Sequence, residues 1–78
     1  MSCQAVPPVP DYRAILGAEI RNQRKRSGLT QEKLAERAEL HPNYLGRVER
    51  GEEHVSVASL RRIGQALSVR VRDLVADI

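Results

Sequence analysis

The chain has 78 residues, with thirteen Lys and Arg against ten Asp and Glu, a net charge of +3, two Tyr, and neither Phe nor Trp. This length allows one domain at most, and the near absence of aromatics argues against a sandwich or barrel and for interlocked helices of Leu, Ile, Val and Ala. There is no apolar run near the roughly 20 residues of a membrane span, no basic-then-apolar leader, and only a single cysteine, Cys3, so a soluble cytoplasmic protein is expected.

Residues 1–10 contain three prolines and no Arg or Lys, which predicts a flexible Pro-rich arm with nothing to hold a phosphate. The domain is expected over residues 11–78. Asp11 is placed to cap a first helix from Tyr12 to about Ser27, with Leu16, Ile20 and Gln23 on one face and Arg21 and Lys25 turned away. Basic residues in its last turn suit the negative end of the helix dipole, and Gly28 supplies a left-handed stop.

The stretch from Thr30 to Gly51 reads as two short helices meeting at a tight turn. Thr30 caps the first, which turns Leu34, Ala35 and Ala38 inward. The second opens at Pro42, buries Leu45 and Val48, and stops at Gly51. A polar loop follows, and Ser56 caps a fourth helix with a Leu60–Ile63–Leu67 stripe. A fifth helix from about Arg70 to Ala76 buries Val71, Leu74 and Val75. The fold class is therefore all-α, with five short helices.

Three blocks in this frame carry a resemblance: IRNQRKRSGLTQEKLAERA, YLGRVERG, and SVASLRRIGQALSV followed by DLV. In order, spacing and residue type, residues Ile15 to Leu74 resemble the Cro and phage-repressor helix-turn-helix regulators, the Xre family. The resemblance implies a lambda-repressor-like DNA-binding domain whose helices 2 and 3 form the helix-turn-helix. The recognition helix, about residues 42–50, would lie in the major groove.

On that helix Asn43 can pair with adenine and Arg47 can fork onto guanine. Tyr44 either rests on the sugar-phosphate backbone or a thymine methyl, or covers the edge of the core. Gly46 either lets the backbone approach the groove closely or is a neutral substitution. The resemblance places Gln31 on a phosphate at the start of the second helix, with Thr30, Arg50 and Arg26 as further phosphate contacts. It assigns Arg24 and Glu49 to a structural ion pair that fixes the recognition helix on its support. Two positions depart from the family pattern. Glu39 stands where the turn usually has Gly, and Ser68 where the fourth helix commonly ends in Gly. Glu39 must take a strained conformation or a slightly different turn.

The function implied is that of a sequence-specific transcriptional regulator binding a palindromic operator in double-stranded DNA as a homodimer. Val69, Val71, Leu74, Val75 and Ile78 are more apolar than one short helix can bury, and they are expected at the dimer interface. Length and the segment ERGEEHVSVASL are similar to the controller proteins of restriction-modification systems. An antitoxin that represses its own operon fits the same residues, and a protein-interaction module on this fold is the reading from another class. RNA polymerase is a further partner if the protein activates, and Glu36 and Glu39 on the outer side of the second helix are either the surface offered to it or plain solvated acids. Cys3, His41 and His54 lack ligand spacing, and no nucleophile sits beside a base, so no metal, cofactor or enzymatic activity is expected.

Overall fold

Residues 11–78 are described in this computed structural model, and the expected arm over residues 1–10 lies outside them. Five helices follow in chain order: α1 Tyr12–Arg26, α2 Gln31–Ala38, α3 Pro42–Glu49, α4 Val57–Leu67 and α5 Val71–Leu74. The described residues include no strand.

The helix starts are set by side chains that accept from the orphan amides of each first turn. Asp11 accepts from the Arg13 N–H, Thr30 from Lys33, His41 from Asn43 and Ser56 from Ser59. The Arg13 guanidinium, followed by its backbone N–H, holds the Asp11 carboxyl down at about 2. The cap at His41 is unexpected, because an imidazole nitrogen does the work usually left to Ser, Thr, Asp or Asn. Pro42 follows it as the first residue of α3, where a missing N–H costs nothing.

Four helix ends close alike. The amides of Leu29, Leu40, Glu52 and Val69 reach back to the carbonyls of Arg24, Ala35, Arg47 and Gly64, at 3.1, 2.8, 2.9 and 2.9 Å. Each closure needs a left-handed residue just before the reaching amide. Gly28 and Gly51 meet that need without strain, whereas Glu39 and Ser68 sit at φ 59° and 60°. The turn between α2 and α3 therefore keeps the ordinary geometry, and Glu39 bears the conformational cost. Glu39→Gly and Ser68→Gly are each expected to stabilise by about 0.5–1 kcal/mol, since relief of the left-handed strain exceeds the extra freedom Gly gains when unfolded. Thermal melting of the two variants checks this, and a lower melting temperature would count against it.

The core is aliphatic: Leu16, Ile20, Leu34, Ala35, Ala38, Leu45, Val48, Leu60, Ile63, Leu67 and Leu74. It forms where α2 packs on α4 and α1 on α3. Leu34, Leu45 and Ile63 are fully buried, each contributing about 1.5–3 kcal/mol by leaving water. Gln23 is only half-buried, with its amide on Glu19 at 2.9 Å. The approach of α1 to α3 is closer than side chains allow. A Cβ at Gly17 would stand 2.3 Å from the Val48 carbonyl oxygen, so the two backbones touch.

The C-terminal segment differs from expectation in two ways. Helix α5 stops at Leu74, two residues short of Ala76. A single turn depends on packing for its stability, and residues 76–78 are exposed. Leu74, expected with the dimer-interface set, is instead a core residue only 1% exposed, because α5 folds back on α4 and α1. Val69, Val71 and Val75 are half-buried against the core, and Ile78 is 56% exposed.

Candidate nucleic-acid interface

Helix α3 is amphipathic. Leu45 and Val48 enter the core, and Asn43, Arg47 and Arg50 stand exposed. Its C-terminal end is locked by a buried ion pair. Arg24 of α1 donates from Nε to Glu49 Oε2 at 2.7 Å and from Nη2 to Oε1 at 3.1 Å. The remaining Nη1 bonds the Leu29 carbonyl at 2.8 Å. The Glu49 side chain is 2% exposed and that of Arg24 is 11%, so the pair is shielded from water. Gln31 completes the group, donating from Nε2 to Glu49 Oε1 at 3.0 Å. This tie joins the starts of α2 and the end of α3, and no pattern in the sequence pointed to it.

One concavity opens on this face, lined by Gln31, Pro42, Asn43, Gly46, Arg47 and Arg50. It brings together Asn43, Arg47, Arg50 and Gln31 from the expected set. Gln31, Asn43 and the two guanidiniums give it side-chain donors for the acceptors of a nucleic acid. Gly46 forms part of its floor: a Cβ there would lie 3.2 Å from Arg50 Nη1 and 3.7 Å from Gln31 Oε1. A missing side chain thus keeps the concavity open.

Thr30, Arg26 and Tyr44 lie outside that lining. Thr30 is engaged as the cap of α2, its Oγ1 accepting from Lys33. Arg26 is exposed as the last residue of α1. Tyr44 packs on the core edge, with its hydroxyl donating to the His54 carbonyl at 3.4 Å.

Both arginines of the concavity meet acids of the loop that follows α3. Arg47 donates from Nε to Glu53 at 3.1 Å, and Arg50 from Nε to Glu52 at 3.1 Å. Sequence reasoning passed over these acids because the Arg47–Glu53 separation crosses a helix end, outside the spacings that pair within a helix. Gly17 was also passed over, although a lone glycine inside a helical pattern is itself a signal of close packing.

A family model described as a helix-turn-helix domain matches residues 15–78. The chain belongs to this family. It is similar to the control protein C.BamHI of Bacillus amyloliquefaciens, 38% identical over 65 residues that cover 82% of this chain and 80% of the relative. Among solved structures it resembles the clp gene regulator ClgR from Corynebacterium glutamicum, with a TM-score of 0.85 and 38% identity over 88% of this chain and 73% of that one. It also resembles the restriction-modification controller protein C.AhdI from Aeromonas hydrophila, at TM-score 0.79 and 35% identity over 80% and 94% of the two chains. As a helix-turn-helix transcriptional regulator of the Cro and phage-repressor type, the protein has a DNA-binding fold and is not an enzyme. Helices α2 and α3 are its helix-turn-helix. No described helix is long and apolar enough to cross a membrane.

Proposed function

We propose that the protein is a sequence-specific regulator that binds a palindromic operator as a homodimer, with α3 in the major groove. The observation that carries this reading is the concavity on α3, where Asn43, Arg47 and Arg50 converge with the start of α2. Asn43 and Arg47 are the base readers, each worth about 1–3 kcal/mol of discrimination. Gln31, Arg50, Thr30 and Arg26 contact phosphates, and Tyr44 flanks the groove from the edge of the core.

Two copies joined through Val69, Val71, Val75 and Ile78 would set their recognition helices about 34 Å apart, one turn of the duplex. The protein acts in the cytoplasm, where Glu36 and Glu39, both exposed, are available to RNA polymerase in an activating complex. Likeness to C.BamHI and C.AhdI over most of the chain favours a controller of restriction-modification genes over an antitoxin. A restriction-enzyme gene beside this one supports that assignment, and a toxin gene there refutes it.

Selection of bound sequences from a random library, followed by fluorescence anisotropy across salt, tests the reading. A two-fold symmetric site and affinity falling steeply with salt are expected; no binding at about 50 mM salt, or binding indifferent to salt, overturns it. Arg47→Ala should relax preference at one base pair in each half-site by roughly 1–3 kcal/mol, whereas Gln31→Ala should weaken all sequences alike. If Arg47→Ala weakens every sequence equally, Arg47 contacts phosphate and reads no base.

A further inference from the structure

We infer that Glu53 sets base discrimination by aiming the Arg47 fork, with Glu52 holding Arg50 in the same way; the inference rests on the DNA-binding reading above. Glu53 takes Arg47 by Nε, at 3.1 Å. That grip leaves both terminal NH2 groups unused by the carboxylate, and a fork of two donors is what the O6 and N7 acceptors of guanine require.

The acid is mounted on a braced loop. On one flank, the Glu52 N–H bonds the Arg47 carbonyl at 2.9 Å and the Gly51 N–H bonds that of Val48 at 3.1 Å. Gly51 lies directly on α1, where a Cβ would come 2.9 Å from Ala14 Cα. On the other flank, the His54 ring is hydrogen-bonded to the Tyr12 hydroxyl at 2.5 Å, and its carbonyl accepts from Tyr44. Glu53 therefore stands between two anchored residues.

Folding gains little from such a contact. The Arg47 and Glu53 side chains are 46% and 34% exposed, and water screens a pair of that kind. Its effect falls on binding. A long flexible cation held in one geometry before DNA arrives loses less freedom on contact. The same carboxylate repels phosphates and so lowers affinity for DNA of any sequence. Glu53 should thus act on selectivity and on general affinity in opposite directions, which neither a structural brace nor a plain surface charge would do.

The test compares wild type, Glu53→Ala, Glu53→Gln, Arg47→Ala and the Arg47→Ala/Glu53→Ala double variant. Each is titrated by anisotropy against the selected site, the same site changed at the base pair to which Arg47→Ala is blind, and random-sequence DNA. Glu53→Ala should lose about threefold to tenfold of the discrimination at that base pair. It should bind random DNA about twofold or more tightly, with one carboxylate gone from the phosphate field. Glu53→Gln keeps an oxygen acceptor for Nε and loses the charge, so it should discriminate as wild type does yet bind random DNA more tightly. In the Arg47→Ala background, Glu53→Ala should remove no further discrimination.

Unchanged discrimination in a folded Glu53→Ala variant overturns the inference, and so does a further loss of discrimination in the double variant. Should Glu53→Ala melt early, Glu53→Met decides, because it keeps the side-chain length and offers Nε no oxygen: discrimination unchanged from wild type in that variant overturns the inference. If wild type prefers a site and Glu53 leaves that preference unchanged, only the inference falls. If wild type shows no preference, the regulator reading falls with it.

Discussion

Gly17→Ala is expected to remove about 1–3 kcal/mol, a large share of the stability a domain this small holds. A methyl group there meets the carbonyl oxygens of Val48 and Glu49 at 2.3 and 2.7 Å. Both are backbone atoms of the last turn of α3, so no side chain can rotate away and one helix must move. Overpacking costs about 1–3 kcal/mol and occasionally more. Domains this small rarely hold more than about 3–5 kcal/mol. The variant's urea midpoint should therefore drop sharply at unchanged slope. On an unobstructed helix face the same substitution would stabilise by about 1 kcal/mol, so the sign alone decides. A stability gain would show that α1 and α3 are not in backbone contact.

Glu49→Ala is expected to cost about 3–5 kcal/mol, the range for breaking a buried pair from one side. It would strand a guanidinium whose side chain is 11% exposed and whose one remaining partner is the Leu29 carbonyl. The Gln31 amide would lose its acceptor as well. Replacing both partners, as in Arg24→Met with Glu49→Leu, should recover most of the loss, because an apolar pair of similar volume carries no desolvation penalty. Urea unfolding of the two single variants and the double variant, all in a fixed background of a stabilising osmolyte such as sucrose that keeps the weakened variants folded at the start, gives the coupling. A cost below about 1 kcal/mol for Glu49→Ala would be the value of a solvent-screened surface pair, and the lock on α3 would then have to lie elsewhere.

Both residues act on the same object, the C-terminal end of α3, and they differ in how far they could be read beforehand. The Arg24–Glu49 pair came from resemblance alone, since residues on separate helices have no spacing to betray them. Gly17 was visible as a helix-interior glycine, but what it touches depends on how α1 crosses α3. Leu74 illustrates the limit from the other side. Its apolar character was plain, yet whether it faces a second copy or its own core depends on where a one-turn helix folds back.

Local chemistry in the chain was sufficient for the helix starts and most of the core. Asp11, Thr30 and Ser56 cap helices by reaching amides two or three residues away, and the apolar repeat in α2, α3 and α4 selects the buried faces. These are short-range effects, and they survive without knowledge of neighbours. Tertiary structure alone decided that Glu39 and Ser68 would accept left-handed backbone, because the closure of α2 and α4 onto Leu40 and Val69 outweighs the strain. It also decided that Gln31 turns to Glu49, and that Glu52 and Glu53 come beside Arg50 and Arg47. Those contacts depend on the path of a loop after a helix end, which no periodicity in the residues encodes.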